Sequence, residues 1–101
     1  MQQFQIDIPT QEIENFCRRW KVVEFSLFGS VLCDSFGPDS DVDVLIEFGA
    51  DVDWSLYDWM DMIEELKTIF SRRVDLVSRR GLRNPFRRHA ILTTREIVYA
   101  A

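Results

Sequence analysis

The sequence places a glycine-serine pair and two aspartates within one short stretch, FGSVLCDSFGPDSDVDV at positions 28–44. Gly29 and Ser30 follow a hydrophobic run, and ten residues separate this pair from Asp41, with Asp43 two positions further on. On a strand, residues i and i+2 share a face with Cα atoms roughly 6.6 Å apart. The two carboxylates can therefore converge on one metal ion or bracket two ions about 3.5–4 Å apart. Alternatively, they are the solvent-facing positions of an ordinary amphipathic strand.

A third carboxylate is available from a later segment of the chain. Asp75 is the only acid in the run RVDLV at positions 73–77, which predicts a short strand. Carboxylate oxygens are hard ligands that favour Mg²⁺ or Mn²⁺, and no histidine or cysteine accompanies them, which argues against zinc. Asp41, Asp43 and Asp75 are therefore the candidate metal ligands and catalytic residues.

The glycine-serine pair has the properties of a phosphate-binding turn. Gly29 ends a strand and can adopt backbone angles that let a ligand approach the chain closely. If residues 30–36 begin a helical turn, its unpaired N–H groups form an anion site, and the Ser30 hydroxyl adds a donor. The chain has no GxxxxGK[ST] pattern, so this is not a P-loop. A phosphate-binding turn next to metal-binding carboxylates is what a metal-bound nucleoside triphosphate needs.

Hydrophobic periodicity predicts the elements that position these residues. Alternating and β-branched runs predict strands at positions 22–28, 41–48 and 73–77, and residues 96–99 are expected to form either a small closing strand or a tail. Three helices are predicted, with Thr10, Asp53 and Asn84 as their N-caps. The apolar stripes expected to face the core are Ile13, Phe16, Cys17 and Trp20 in the first helix, and Leu56, Trp59, Met60, Ile63, Leu66 and Phe70 in the second.

This order of elements predicts an α/β (α+β) fold, with a small mixed sheet and helices packed on one face. The three aspartates then point away from the helices, into an open face. A chain of 101 residues is expected to form a single domain, residues 1–101. No apolar run approaches membrane-spanning length, and the N-terminus lacks the pattern of a signal peptide, so a cytoplasmic protein with two free thiols is expected.

Charge is distributed unevenly along the chain. Up to Ser71 there are 15 acids and 4 bases, a net charge of −11, whereas the remainder carries +6. The larger acidic part would repel phosphodiester backbones, so direct binding of nucleic acid is not expected. The arginine-rich C-terminal part can still meet a phosphate or an acidic partner.

These motifs together resemble those of a known family. Gly29-Ser30, ten residues and then Asp41-Val42-Asp43 match the GS-x10-DxD signature of the DNA polymerase beta-like nucleotidyltransferases, and more narrowly the minimal nucleotidyltransferases. The segments RRVDLVS at 72–78 and LRNPFRRHAIL at 82–92 agree with it. The resemblance implies a nucleotidyltransferase fold in which Gly29 and Ser30 hold the triphosphate of ATP. It also implies Asp41 and Asp43 as Mg²⁺ ligands, with Asp75 as the third carboxylate.

The resemblance also implies a reaction and a partner. Stand-alone members of this kind are antitoxins of HEPN-type RNase toxins, and they transfer AMP from ATP to a tyrosine of the toxin. The chain is thus expected to be an Mg²⁺-dependent protein adenylyltransferase, in a hetero-oligomer with its toxin. The alternatives are an antitoxin that neutralises by contact alone and a transferase acting on a small molecule, although no second substrate domain is present.

The sequence departs from its relatives just after the glycine-serine pair. Many relatives carry glycine and basic residues there, in a GSRARG-like form, whereas this chain has the connector Val31-Leu32-Cys33-Asp34. No arginine therefore stands beside the phosphates in sequence. Arg79, Arg80 and Arg83 are the C-terminal arginines expected to supply the missing charge.

Overall fold

The computed structural model describes residues 7–33, 36, 37 and 39–101, and its helices and strands follow the predicted order. Two 3₁₀ turns, Gly29–Leu32 and Arg79–Gly81, connect some of them. The elements are α1 (Thr10–Trp20), β1 (Val22–Phe28), β2 (Val42–Phe48), α2 (Leu56–Phe70), β3 (Val74–Ser78), α3 (Pro85–Thr94) and β4 (Glu96–Ala100).

The four strands form one mixed sheet in the order β3-β2-β1-β4. β1 pairs with β2 and with β4 in antiparallel orientation, whereas β2 and β3 are parallel. The parallel pair is possible because α2 carries the chain back to the starting edge, as a crossover connection must. The predicted α/β class and the mixed sheet are confirmed.

One face of the sheet packs against α1 and α2. The side chains of Val42, Val44 and Ile46 in β2 are fully buried in this core, as their shared face predicted. The α1 stripe is confirmed for its three buried members, Ile13, Phe16 and Cys17, with Trp20 partly buried.

The α2 stripe differs from the prediction. Leu56 and Met60 are 72% and 55% exposed, whereas Met62, which was not predicted, is fully buried. The buried stripe comprises Met62, Leu66 and Phe70, with Trp59 and Ile63 partly buried beside it. The first turn of α2 therefore contributes little to the core, and the apolar stripe is narrower than the sequence suggested.

The helix starts contain two further corrections. Thr10 is the first residue of α1 and not its cap, and among the described residues no side chain caps that helix. α2 begins at Leu56 and is capped by Ser55 and not by Asp53. The cap of α3 is confirmed, because the side chain of Asn84 accepts hydrogen bonds from the N–H groups of Phe86 and Arg87.

The opposite face of the sheet is not as open as predicted, because α3 packs on it. Ile91 of α3 lies in a second buried cluster with Phe28, Leu45 and Leu82. Leu45 belongs to the face that also carries Asp43 and Glu47, since strand side chains alternate. Two helices therefore cover one face and the third helix covers part of the other. Within the described residues, no helix combines the length and the apolarity needed to cross a membrane.

Candidate active site

Gly29 and Asp43 meet where β1 ends. Asp43 is paired across the sheet with Phe28, the residue before Gly29. Gly29 adopts a φ of 73°, and a Cβ atom added to it would lie 2.3 Å from Oδ2 of Asp43 and 3.2 Å from its Cγ. That separation is far inside van der Waals contact, so the position requires glycine for space as well as for backbone conformation.

Asp75 lies beside Asp43 on the neighbouring strand. The two residues are direct partners in the parallel pairing of β2 with β3. Adjacent strands are about 4.8 Å apart, and in-register residues project from the same face, so both carboxylates leave the sheet on the side of α3. Asp75 is exposed, whereas Asp43 is partly buried. The predicted pairing of these acids across two strands is thereby observed.

The surroundings of Asp43 disfavour its negative charge. Burial raises the pKa of the Asp43 carboxyl, and the nearby charges of Asp75 and, to a smaller extent, Asp41 raise it further. The backbone N–H of Ser30 and the charge of Arg87 oppose this by lowering the pKa of Asp43. The cluster thus has excess negative charge that a bound cation would neutralise.

Asp41 is placed differently from the other two acids. It precedes β2, and its Oδ1 forms an ion pair with Nε of Arg73 at 3.0 Å. Arg73 is held in turn by a 2.7 Å hydrogen bond from Nη2 to the carbonyl oxygen of Asp39. Within residues 7–33, 36, 37 and 39–101, no three Asp, Glu, His or Cys side chains are grouped so as to hold a metal ion. The structure brings Asp43 and Asp75 together and directs Asp41 towards Arg73.

The turn Gly29–Leu32 explains the unusual connector after the glycine-serine pair. Val31 is fully buried in the core between the sheet and α1 and α2, and Leu32 packs against that core. These side chains therefore anchor the turn and do not face a ligand. The Ser30 hydroxyl lies 3.4 Å from the carbonyl oxygen of Asp41, at the long limit of a hydrogen bond. Asp34, the fourth residue of the connector, lies outside the described residues.

Two of the arginines expected to supply positive charge lie elsewhere. Arg79 forms an ion pair with Glu47 at 3.3 Å. Arg79 and Arg80 line a cavity of about 450 Å³ beyond the carboxyl ends of β2 and β3, at the opposite end of these strands from Asp43 and Asp75. Arg87 is the arginine whose charge acts on Asp43. The sequence reasoning missed it, although Arg87 precedes the buried Ile91 by one helical turn.

The mixed sheet, the glycine turn and the in-register carboxylates are the features of a nucleotidyltransferase fold. A family model described as "Nucleotidyltransferase domain" matches residues 11–98. The chain belongs to this nucleotidyltransferase family, as the sequence motifs indicated.

Two relatives are named as protein adenylyltransferases, one of them as a candidate. The chain is 33% identical over 92 residues to the protein adenylyltransferase MntA of Thermococcus cleftensis, covering 91% of this chain and 88% of that protein. It is 30% identical over 73 residues to a protein of Methanocaldococcus jannaschii named as a candidate protein adenylyltransferase, covering 72% and 73% of the two chains.

Solved structures share the fold. A toxin-antitoxin structure with AMP-PNP has a TM-score of 0.74 at 20% identity, over 93% of this chain and 75% of that one. A candidate minimal nucleotidyltransferase has a TM-score of 0.70 at 31% identity, over 86% of each chain. A Shewanella oneidensis complex of a tri-AMPylated HEPN toxin with its MNT antitoxin has a TM-score of 0.62 at 21% identity, over 91% of this chain and 70% of that one.

Proposed function

We propose that the chain transfers AMP from ATP to a hydroxyl group, a tyrosine, of a HEPN-type RNase toxin and thereby acts as its antitoxin. The observation that carries the proposal is the close approach of Gly29 to Asp43, with Asp75 in register beside it. The relatives named as protein adenylyltransferases and the fold shared with MNT antitoxins support the same activity. In this proposal the chain is a single minimal nucleotidyltransferase domain, works in the cytoplasm and forms a hetero-oligomer with the toxin.

The acids suit a divalent cation, and we assign Mg²⁺ to them. The donors are hard carboxylate oxygens, and the like charges around Asp43 already raise its pKa, so a cation would relieve their repulsion. Asp43 and Asp75 would hold the ion, and Asp41 would join them by exchanging its ion pair with Arg73. When bound, Mg²⁺ neutralises triphosphate charge and polarises the phosphorus that reacts.

The residues of the chain have distinct tasks in the transfer. The turn at Gly29 and Ser30 holds the triphosphate against β2. The toxin hydroxyl oxygen attacks the α-phosphorus, the bond from that phosphorus to the bridging oxygen breaks, and diphosphate leaves with the electron pair. Asp75, exposed at the edge of the cluster, takes the proton from the attacking hydroxyl. In-line positioning of the two reactants supplies much of the rate enhancement.

One observation favours a second candidate function. The ion pair of Asp41 with Arg73 occupies a carboxylate that catalysis requires. If this pair persists when ATP binds, the chain would be an antitoxin that neutralises its partner by binding alone, with weak catalysis.

Mass spectrometry of the toxin separates the two functions. The purified chain is incubated with its HEPN partner, ATP and Mg²⁺, and the mass and RNase activity of the partner are measured. We expect the partner to gain one or more AMP units and to lose RNase activity. Asp41→Ala/Asp43→Ala should abolish the mass gain, whereas Asp53→Ala, which changes an exposed acid outside the cluster, should preserve it. Neutralisation without a mass change, unaffected by the double substitution, would establish the binding-only function.

A further inference from the structure

α3 is oriented so that one of its faces looks onto the carboxylate cluster. Its residue Ile91 is buried with Phe28 and Leu45. Both of these flank Asp43, because Phe28 is its cross-strand partner and Leu45 follows it by two positions on the same face. Residues four apart share one face of a helix, so Arg87 projects from the same side as Ile91, one turn nearer the N-terminus.

Arg87 is an arginine without a structural task. Its side chain is exposed, and among residues 7–33, 36, 37 and 39–101 its guanidinium makes no hydrogen bond or ion pair, since the Arg87 bond to Asn84 comes from the backbone N–H. Its neighbours are engaged: Arg79 pairs with Glu47, Arg88 donates to the carbonyl oxygen of Arg79, and Arg95 pairs with Glu24. The guanidinium of Arg87 is therefore available to a ligand.

The packing of Ile91 on Phe28 and Leu45 holds the α3 face that carries Arg87 over the carboxylate cluster. The charge of Arg87 lowers the pKa of Asp43, although the two side chains form no ion pair. Because the Arg87 guanidinium is not paired with these carboxylates, an anion can bind between the guanidinium and the cluster. When a divalent cation neutralises the acids, the anion that completes the arrangement is a polyphosphate.

A basic side chain that contacts phosphates at the glycine-serine turn must come from elsewhere in the fold. No basic residue lies in the turn Gly29–Leu32, and Val31 and Leu32 are turned into the core. A guanidinium offers paired N–H donors that match phosphate oxygens, and its charge persists at every physiological pH.

We propose that Arg87 is a substrate-binding residue, which donates guanidinium N–H groups to the triphosphate of ATP from across the sheet. This inference rests on the proposed function for the identity of the nucleotide. It assigns to α3 a part of the phosphate site that the connector after Ser30 does not provide.

Direct nucleotide binding tests the assignment without requiring the toxin. The full chain is titrated with α,β-methylene ATP and Mg²⁺ in a calorimeter, since this analogue resists cleavage at the reacting bond. Arg87→Gln should weaken binding about 10- to 100-fold, as expected for lost charge-assisted hydrogen bonds. Arg87→Lys should recover part of the affinity, because it restores the charge but not the paired donors. The matched control is Arg80→Gln, which removes the same charge at the opposite end of the strands and should leave the affinity unchanged.

The binding measurements distinguish failure of the Arg87 assignment from failure of the proposed function. If Arg87→Gln binds as tightly as the unaltered chain, or if Arg80→Gln weakens binding equally, Arg87 is not a phosphate ligand and the proposed function is untouched. If the unaltered chain binds the analogue in an Arg87-dependent way but transfers no AMP to its toxin, the proposed function fails and the Arg87 assignment stands. If the unaltered chain does not bind the analogue, both fail. Because Arg87 is exposed, melting temperatures of the variants should agree, which excludes misfolding as the cause.

Discussion

At the scale of single residues, the site depends on a glycine, because Gly29 has no Cβ atom. Gly29 brings the end of β1 so close to Asp43 that only a hydrogen fits between its Cα atom and the carboxylate. The same residue has a positive φ, which side chains disfavour. Two independent constraints therefore fall on this position, one from the backbone conformation and one from the neighbouring Asp43 carboxylate.

Gly29→Ala should damage both stability and the site. The φ of 73° costs a residue with a Cβ atom about 1–2 kcal/mol, and the new methyl group must displace the Asp43 carboxylate. We expect a lower free energy of unfolding in urea and loss of AMP transfer. Gly37→Ala is the matched control, because no atom of the described residues lies within 4 Å of its added Cβ atom, and it should change neither. Full activity of Gly29→Ala would contradict the assigned geometry.

Asp43 should lower the stability of the metal-free protein at neutral pH. Its pKa is raised in the folded state by burial and by Asp75, so the folded state binds the proton more tightly than the unfolded state does. The penalty is present above the folded pKa and fades as the pH falls towards the unfolded value. Asp43→Asn should therefore unfold at a higher urea concentration at pH 7, in EDTA, and this advantage should shrink on acidification. A pH-independent difference would contradict the linkage.

The sequence predicted the carboxylates but not the arginine, for a physical reason. Asp43 and Asp75 lie on strands whose two-residue alternation fixes the face of each side chain, so their position follows from local pattern. The position of Arg87 depends on the packing of Ile91 on the face of the sheet opposite α1 and α2. That packing is a tertiary contact, which local sequence pattern does not predict. Asp41 likewise has a place that depends on Arg73, a residue 32 positions away.

At the scale of elements, the start of α2 illustrates how two capping candidates compete. Asp53 and Ser55 are both favoured N-cap residues. Ser55 prevails because Asp58 lies three residues beyond it: Oδ2 of Asp58 accepts from the Ser55 N–H at 2.9 Å, while Ser55 Oγ accepts from the Asp58 N–H at 3.1 Å. The spacing of a capping box was present in the sequence, in the form S-x-x-D, and it locates the helix start two residues later than predicted.

Ser55→Ala should destabilise the protein by about 1 kcal/mol, the usual cost of losing an N-cap side chain. The loss leaves helical N–H groups of α2 without a partner and removes the reciprocal bond with Asp58. Asp53→Ala, the substitution at the cap predicted from sequence, should change the free energy of unfolding by less than about 0.5 kcal/mol. Urea unfolding curves of the two variants give the comparison, and a larger loss for Asp53→Ala would reverse the assignment.

At the scale of the whole molecule, one face of the sheet forms the main core and the other carries the candidate site. α1 and α2 bury the main core against one side, while the other side carries Asp43 and Asp75 with α3 packed beside them. The acids of the site thus lie where no core residue compensates their charge. The acidic part of the chain supplies Asp43, whereas the arginine-rich part supplies Asp75 and α3, so acids and arginines from both parts meet on one face.

Because Asp43 and Asp75 lie on the folded sheet, ligands that bind to them are predicted to stabilise the entire fold. A ligand that binds only the folded state stabilises it by about 2.7 kcal/mol at 100 times its dissociation constant. For a domain of roughly 100 residues, that corresponds to a rise in Tm of about 10 °C or more. Mg²⁺ with α,β-methylene ATP should produce such a rise in calorimetric melting, and EDTA should remove the part that depends on the metal.

Substitution of the acids proposed to hold the ion tests whether this stabilisation is specific to the site. Asp43→Asn/Asp75→Asn should lose the Mg²⁺-dependent rise in Tm, because the two in-register carboxylates are gone. Asp53→Asn removes an exposed carboxylate at the loop before α2 and should keep the full rise. Since Asp43→Asn relieves repulsion, the double variant should also melt higher than the unaltered chain in EDTA, which separates lost ligand binding from damage to the fold. An equal Mg²⁺ effect in all three proteins would mean that the ion acts on general acidic surface and not on this site.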